Sequence, residues 1–471
     1  MTGTTVTLVI NDEIDTQLQE LVDDPLERAA VLLVGVARQG PHLRLLARRL
    51  LASPADSYVC RGPRGLELTS AGWAPALAVA AETGSAALFV HTHPGGVPTP
   101  SSHDSVVDEL LEQAFRIRTG QSLYGSLVIA PDLPDGPDAQ ASGGWTFTGR
   151  VVLDDVGELP VRRLVQLGRR LVVTASYDEP TPEATPQLFS RQIQAFGGDV
   201  QRVLGQLRVG VAGAGGTGSA VLEQLVRLGV RHLVLADPDV LSDSNVTRVY
   251  GSTPAAIGRP KVDIQRDHLI AIAPDLELLA LHAKTTTPEV VRALSSCDVV
   301  FGCTDDDAGR IILSRLASYY AVLLIDCGIQ LSSTGGALLG IDARVTTIVP
   351  GAACLMCRGR VDPQRAAAEL LDEQELRDRQ REGYAPELAG VEPAVVSYTS
   401  ITGALAVSEL LERLTGYGRT PAPNEVIARL HERELSTNSR SPKTGHFCHP
   451  DSPALGSGDR PNLLDWTWRT S

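Results

Sequence analysis

The stretch Leu207–Asp237, LRVGVAGAGGTGSAVLEQLVRLGVRHLVLAD, decides the fold of the second half of this 471-residue chain. An apolar run ends in a glycine turn, a helical pattern over Ser219–Leu228 follows, and a second apolar run ends at Asp237. Backbone N–H groups at the start of such a helix can receive phosphate oxygens, and Asp237 stands where a ribose-binding acid belongs. The pattern predicts a nucleotide-binding βαβ unit. By itself it suits an NAD-dependent dehydrogenase as well as an ATP-dependent enzyme.

Strand-like and helical patterns alternate through this unit and beyond it. The predicted helices are Glu289–Leu294, Arg310–Ala321 and Thr399–Thr415, and the predicted strands are His232–Ala236, Val299–Gly302 and Val322–Asp326. Such alternation indicates an α/β fold with a mostly parallel, doubly wound sheet.

Short polar motifs follow the glycine turn in a fixed order. They are Asp237-Pro-Asp239, Ser244-Asn245-Val-Thr-Arg248, Gly258-Arg-Pro-Lys261 and Thr304-Asp305-Asp-Asp-Ala-Gly-Arg310, with Phe189-Ser190-Arg191-Gln192 upstream. Over about residues 187–435 the chain thereby resembles the ThiF/MoeB/ubiquitin-activating family. The resemblance implies a Rossmann-like, doubly wound ThiF-type domain. Such a domain uses Mg-ATP to adenylate the C-terminal carboxylate of a ubiquitin-like or sulfur-carrier protein.

The resemblance also implies a role for each motif residue. Attack of a carboxylate on the α-phosphorus brings two anions together, so cations must offset the charge. The expected cations are Arg248, Lys261 and, from the partner protomer of a homodimer, Arg191; the expected magnesium ligand is Asp305. The full set expected to bind the nucleotide is Gly213, Gly215, Gly216, Gly218, Asp237, Asp239, Asn245, Arg248, Lys261, Asp305 and Arg310.

A second constellation lies near the N-terminus, at His91-Thr-His93-Pro94 followed by Ser101 and Asp104. Histidines at i and i+2 of a strand point to the same side. Together with one carboxylate they give three protein ligands and leave a fourth position for water, as catalytic zinc requires. Such hydrolysis also needs a carboxylate that moves the proton and an uncharged donor for the oxyanion, a role that the Ser101 hydroxyl can fill.

The tract HTHPGGVPTPSSHD over residues 91–104 resembles the motif H-x-H, seven residues, S-x-x-D of the JAB/MPN (JAMM) metalloproteases. The resemblance implies an N-terminal JAB/MPN-type mixed α+β domain with a zinc ion on His91, His93 and Asp104. It makes Glu27 the general base and acid, with Glu67 and Glu82 as weaker candidates, and lets Ser101 stabilise the tetrahedral intermediate. The simpler alternative is a surface turn in which Asp104 only caps a helix from Ser105; capping and ligation can coexist.

A structural zinc site is a third expectation. Cys354-Leu-Met-Cys357 occupies the place where the ThiF-like family has half of a four-cysteine site, and a closed site needs two more ligands. Near the C-terminus the chain offers His446-Phe-Cys448-His449, so Cys448 and either His446 or His449 would complete it. The region 383–402, where the family usually carries its acceptor thiol, contains no cysteine. Thioester, thiocarboxylate and amide products of the adenylate therefore stay open.

Composition sets the wider limits. The length predicts more than one domain. We expect a first domain over residues 1–175, a Pro- and acid-rich linker over 176–186, a second domain over 187–450 and a polar tail over 451–471. The chain is expected to be loosely held from Ser436 onward. The net charge of −14 argues against a nucleic-acid or anionic-membrane surface. Seven scattered cysteines indicate a reducing compartment. Without a signal peptide or a long apolar run, we expect a cytoplasmic protein.

These observations lead to three hypotheses. The first is a bifunctional enzyme that cleaves at the C-terminus of a ubiquitin-like protein with zinc and adenylates that carboxylate with Mg-ATP. The second is activation and processing of a sulfur carrier in cofactor or cysteine biosynthesis. The third is a non-catalytic scaffold that binds nucleotide and a ubiquitin-like tail, for example in a defence system.

Overall fold

The structure is a computed structural model that describes residues 3–132, 144–180, 186–382, 385–386, 388, 394–418 and 420–459. It divides into two compact units. The first comprises Met1–Glu183 with a C-terminal segment, Gly456–Leu463, and the second comprises Ala184–Leu455 with Leu464–Ser471. Residues 181–185 of the predicted linker and 460–471 of the predicted tail lie outside the described residues, as does most of 383–393.

The first unit is built from strands and three helices along residues 5–175. Its strands are β1 (Thr5–Ile10), β2 (Ala29–Gln39), β3 (His42–Ala52), β4 (Tyr58–Gly62), β5 (Gly65–Leu68), β6 (Ala86–Thr92), β7 (Leu123–Pro131), β8 (Trp145–Leu153), β9 (Gly157–Leu167) and β10 (Leu171–Ala175). Its helices are α1 (Asp12–Val22), α2 (Ala74–Thr83) and α3 (Ser102–Thr119).

Eight of these strands form one mixed sheet in the order β1-β3-β2-β6-β7-β8-β9-β10, and β1 also pairs with β9 so that the sheet closes on itself. β2 is apolar on both faces because each face covers a separate core. Ala30, Leu32 and Val34 enter the core on the side of α1, while the alternate residues of β2 and β6 pack under α2 and α3. The second face is the one that carries the histidine motif.

The second unit continues the numbering. Its strands are β11 (Arg208–Ala212), β12 (His232–Ala236), β13 (Glu277–Leu281), β14 (Val299–Gly302), β15 (Leu323–Thr334), β16 (Ala337–Ile348), β17 (Glu425–Arg429) and β18 (Glu434–Asn438). Its helices are α4 (Ser190–Gln206), α5 (Gly216–Leu228), α6 (Lys261–Ile272), α7 (Pro288–Ser295), α8 (Asp307–Tyr319), α9 (Pro363–Glu369), α10 (Glu373–Arg381) and α11 (Val396–Thr415).

The sheet of the second unit has the order β13-β12-β11-β14-β15-β16-β17-β18. The strands from β13 to β15 are parallel, and β16, β17 and β18 continue the sheet in antiparallel pairing. The chain reverses its direction of winding between β11 and β14, and the carboxyl ends of strands at such a switch point form a ligand crevice. This arrangement confirms the predicted doubly wound α/β fold.

The expectation of a loosely held chain from Ser436 is wrong. Ser436–Asn438 belong to β18 and pair with β17, and Cys448 is fully buried. Further on, Gly458 pairs in parallel with Val36, and the Asp459 N–H donates to the Val36 carbonyl at 2.8 Å. A polar composition suggested mobility, but backbone pairing needs no apolar side chains. Within the described ranges, none of the helices is both long and apolar enough to cross a bilayer.

The return of residues 456–459 to the first unit makes a testable prediction. If a protease site is inserted between residues 180 and 186, the two fragments should co-elute in size-exclusion chromatography after cleavage. The second fragment carries Asp459, whose Oδ2 accepts from the Arg38 N–H at 2.6 Å. The same protein shortened after Leu455 should release the first fragment. Separate peaks with the segment intact, or co-elution without it, would contradict the prediction.

Candidate functional site

The carboxyl ends of the parallel strands in the second unit border a cavity of about 1390 Å³. Every residue predicted to bind the nucleotide lines this cavity except Gly218, which is buried. The cavity also reaches Cys303, Cys327 and residues 284–286, which follow β13. These residues were not predicted to line the site, because only the assembled edge of the sheet brings them together.

The glycine turn needs its glycines for different reasons. Gly213 has φ +103°, and a Cβ there would lie 2.5 Å from the Cys303 carbonyl oxygen, so the turn packs directly against the end of β14. A Cβ on Gly218 would lie 1.9 Å from the Gly213 carbonyl oxygen. Gly215 is the opposite case: a Cβ there would meet nothing within 4 Å. Gly215 therefore leaves open space at the start of α5, where helix N–H groups can donate hydrogen bonds to an anion.

Asp237 braces the glycine turn. Its Oδ2 accepts from the Ala214 N–H at 2.6 Å and its Oδ1 from the Asp239 N–H at 2.8 Å. Burial raises the pKa of Asp237, and the opposing influences are the Lys261 charge and these backbone hydrogen bonds. Each oxygen keeps a second lone pair, which a ribose hydroxyl could use. The bracing role was not predicted from the sequence.

The predicted cations are held by polar partners at the cavity wall. The buried Lys261 donates from Nζ to Asp239 Oδ2 at 2.7 Å, and Arg248 donates from Nη1 to the Ser244 carbonyl at 2.7 Å. Asn245 accepts at Oδ1 from the Ser242 N–H at 3.4 Å and so also fixes its own turn. Asp305 is exposed in the cavity and offers a carboxylate of the kind that magnesium binds.

Two predicted residues are placed differently from the rest. Arg310 lines the cavity but faces the fully buried Asp326, with Nε 3.7 Å from Oδ1, and donates to the Cys327 carbonyl at 3.4 Å. Arg191 is exposed on α4 and is not among the residues that line the cavity. The structure of one chain therefore does not bring Arg191 to the predicted nucleotide site, whereas it does bring Arg248 and Lys261 there.

A buried cluster of sulfur and nitrogen ligands lies elsewhere in the second unit. The His446 Nδ1 is 3.6 Å from Cys354 Sγ, 3.5 Å from Cys357 Sγ and 3.2 Å from Cys448 Sγ. The ligand atoms all lie within 4.8 Å of one another, which suits a tetrahedral zinc ion. The alternative ligand His449 instead accepts at Nδ1 from the Asp451 N–H at 3.2 Å.

The chemistry of this cluster also fits a metal. The hydrogen bond from Cys354 lowers the pKa of Cys448, against the opposing influence of burial, and so favours the thiolate form of Cys448. Zinc binds the thiolate form of cysteine. The Cys357 sulfur also accepts from the Lys443 N–H at 3.4 Å, a contact that would help to hold the ligand in place.

The first unit brings its own three predicted ligands together. His91 is at the end of β6, on the face covered by α2 and α3, and His93 follows two residues later. The two Nε2 atoms are 3.2 Å apart, and Asp104 places Oδ1 3.7 Å from His91 Nε2 and Oδ2 3.5 Å from His93 Nε2. Burial raises the pKa of Asp104, but the hydrogen bonds from His91, His93 and Ser101 outweigh it and lower the pKa overall.

Capping and clustering coexist at Asp104. Helix α3 begins at Ser102, not at Ser105, and Ser101 rather than Asp104 is its N-cap. Ser101 Oγ accepts from the Asp104 N–H at 3.2 Å, while Asp104 Oδ2 accepts from the Ser101 N–H at 2.6 Å. This reciprocal capping box orients the carboxylate toward the imidazoles.

Glu27 lies beside the same cluster. It precedes β2, which pairs Ala29 with His91, and its own N–H donates to the Gly62 carbonyl at 2.9 Å. Burial raises the pKa of Glu27, and the charges of His93 and His91 oppose this shift. The weaker candidates, Glu67 and Glu82, are exposed.

Comparison with known proteins identifies the second unit. The model of the ThiF family matches residues 189–448, more than half of the chain. The chain belongs to the ThiF family. The match begins at residue 189, so the first unit lies outside it.

Similar proteins include two adenylyltransferases of Escherichia coli K12. The chain is 28% identical to molybdopterin-synthase adenylyltransferase over 244 residues, 51% of this chain and 86% of that protein. It is 36% identical to sulfur carrier protein ThiS adenylyltransferase over 124 residues, 26% of this chain and 49% of that protein. The SAMP-activating enzyme E1 of Haloferax volcanii is 28% identical over 150 residues, 32% of this chain and 52% of that protein.

Two glycine substitutions should separate binding from folding. Gly215→Ala should leave the melting temperature nearly unchanged but weaken ATP binding about tenfold or more, because the methyl group would enter the open space where phosphate is expected. Gly218→Ala should cost roughly 1–3 kcal/mol of stability, because its Cβ would overlap backbone. Calorimetric unfolding and ATP titration measure both. Equal ATP affinity in Gly215→Ala and in the unmodified protein would contradict the assignment.

Proposed function

We propose that the second unit adenylates the C-terminal carboxylate of a ubiquitin-like or sulfur-carrier protein with Mg-ATP. The observation that carries this proposal is the convergence of the glycine turn, Lys261, Arg248 and Asp305 on one cavity. Family membership supports it, because the similar proteins named molybdopterin-synthase adenylyltransferase and ThiS adenylyltransferase carry this reaction in their names.

The residues divide the work as follows. The N–H groups after Gly215 hold phosphate oxygens, and Asp237 orients the ribose while it braces the turn. Lys261 and Arg248 offset the negative charge as the incoming carboxylate oxygen bonds to the α-phosphorus and pyrophosphate departs. Magnesium, when bound at Asp305, supplies further neutralisation of the phosphate oxygens. Asp239 holds the Lys261 ammonium in place between turnovers.

A homodimer belongs to this proposal. Arg191 is exposed on α4, outside the residues that line the cavity of its own chain. In the proposed dimer it would reach the nucleotide of the partner protomer. Residues 383–402, where the family usually carries its acceptor thiol, contain no cysteine. The proposal therefore includes a thiocarboxylate or an amide, as well as a thioester, as the product formed from the adenylate.

The first unit is proposed to be a JAMM-type zinc peptidase or isopeptidase acting at the same kind of C-terminus. The supporting observation is the cluster of His91, His93 and Asp104 with the buried Glu27 beside it. A zinc ion bound there would supply the activated water for hydrolysis. Glu27 would take the proton from that water and pass it to the leaving amine, and the Ser101 hydroxyl would donate to the oxyanion.

ATP–pyrophosphate exchange with candidate small proteins tests the adenylation proposal. Asp305→Ala should lower exchange by roughly 100-fold or more, as expected for loss of a charge-stabilising group. Asp275→Ala is the control, since Asp275 is an exposed acid that pairs with Arg231 away from the cavity. Exchange that persists unchanged in Asp305→Ala would contradict the magnesium assignment. Binding of ATP and of a carrier without any exchange would favour a non-catalytic scaffold.

The peptidase proposal has its own test. Glu27→Gln should lower cleavage of a ubiquitin-like fusion by about 10²- to 10⁴-fold while zinc content stays unchanged, because the residue moves a proton and is not a ligand. Glu67→Gln is the matched control, since that carboxylate is exposed. Loss of zinc from Glu27→Gln would reassign Glu27 as a ligand, and full activity would remove it from the mechanism.

A further inference from the structure

Asp108 is a buried carboxylate that neither proposed reaction uses. It lies on α3, four residues after Asp104, and is 8% exposed. Its Oδ1 accepts from the Tyr124 hydroxyl, and its Oδ2 accepts from Ser126 Oγ at 2.7 Å and from Arg150 Nε at 2.7 Å. Burying a carboxylate is costly unless such donors surround it. The desolvation penalty of burying Asp108 suggests that this residue has a role beyond packing.

The donors around Asp108 come from the strands next to the metal cluster. Tyr124 and Ser126 are on β7, and Arg150 is on the neighbouring β8. β7 is also the parallel partner of β6, with Val128 in register with His91, and the His93 N–H donates to the Ile129 carbonyl at 2.8 Å. β7 therefore contacts both sources of ligands: the strand that carries the imidazoles and the helix that carries the carboxylate.

From this arrangement we propose that Asp108 is a positioning residue for the zinc site: it anchors the first turns of α3 to β7 and β8 and thereby holds Asp104 opposite His91 and His93. This inference rests on the proposed zinc site. Residues four apart lie on the same helix face, so a rotation or slide of α3 that displaced Asp108 would displace Asp104 with it. The capping box fixes the Asp104 side chain within the helix, and Asp108 fixes the helix against the sheet.

The chemistry of the anchor requires a carboxylate. Tyr124, Ser126 and Arg150 all donate, and an ionised carboxylate is the side chain that accepts at both of its oxygens without offering a competing donor. Burial and the adjacent Asp108 charge raise the pKa of Tyr124 well above its ordinary value, so the phenol keeps its proton and remains a donor. An amide in place of the carboxylate would turn an N–H toward one of these donors.

Cobalt titration of the full chain tests the proposal. Cobalt bound to thiolates has a strong near-ultraviolet charge-transfer band that cobalt on nitrogen and oxygen ligands lacks. That band therefore reports the cysteine cluster alone, and total bound cobalt less the thiolate-bound share reports the histidine site. Asp108→Asn should weaken cobalt binding at the histidine site by roughly 10- to 100-fold, the range found for residues that support metal ligands, and leave the thiolate site unchanged.

The control is Glu112→Gln, the same charge change one helical turn further along α3. Glu112 pairs only with Arg116 on its own helix, at 3.3 Å, among the contacts of the described residues. It should bind cobalt like the unmodified protein. Equal affinity in Asp108→Asn and the unmodified protein would overturn the positioning role. Failure of the unmodified protein to bind cobalt at the histidines would instead overturn the zinc site itself.

If Asp108→Asn does not fold, Tyr124→Phe tests the positioning role of Asp108 instead. It keeps the ring in the core and removes only the hydroxyl that donates to Asp108 Oδ1. Weaker cobalt binding, with a shifted visible spectrum and an unfolding temperature still above that of the assay, supports the anchor. An unchanged affinity and spectrum in a folded Tyr124→Phe protein would count against it.

Discussion

The hydrogen bond between the Asp237 carboxylate and the Ala214 N–H is the contact on which the cavity of the second unit depends. It joins the end of β12 to the glycine turn after β11, while Gly213 packs that turn against the carbonyl of Cys303 at the end of β14. Neighbouring strand ends are thus locked to one short loop. The loop can then present N–H groups in a fixed direction, which an anion site requires because reorganisation would cost binding energy.

In the first unit, too, polar groups on different elements must be held at a fixed distance, but other contacts hold them. Its candidate ligands come from a strand and a helix, and nothing in strand pairing alone sets the distance between them. Hydrogen bonds from β7 and β8 to Asp108 and the capping box at Ser101 supply that constraint. In both units a buried carboxylate surrounded by donors holds the elements that carry the polar groups. Neither carboxylate is explained by folding stability alone, because burying a well-packed apolar side chain in its place would carry a smaller desolvation penalty.

The sequence predicted four of the five parallel strands, all except β13, and it predicted residue groups that the structure brings together, for physical reasons that differ. His232–Ala236 and Val299–Gly302 were predicted with their observed bounds, because strands buried on both faces are short apolar runs. The histidine motif and the residues predicted to bind nucleotide were identified from spacing, and the structure brings the members of each group together. β17 was missed, because it is only five residues long and has a charged residue at each end. The roles of Asp237 as a brace and of Asp108 as an anchor depend on contacts 23 and 16 residues away, which spacing does not reveal.

The pairing of Gly458 with Val36 has a consequence for biosynthesis. The N-terminal sheet leaves the ribosome early, yet the backbone that covers the end of β2 emerges only after the whole adenylating unit has been made. At translation rates of about 5–20 residues per second, the interval is on the order of tens of seconds. During that time the Val36 carbonyl and the Arg38 N–H are open to water or to chaperones. The sheet of the first unit therefore stays incomplete until the second unit has been synthesised.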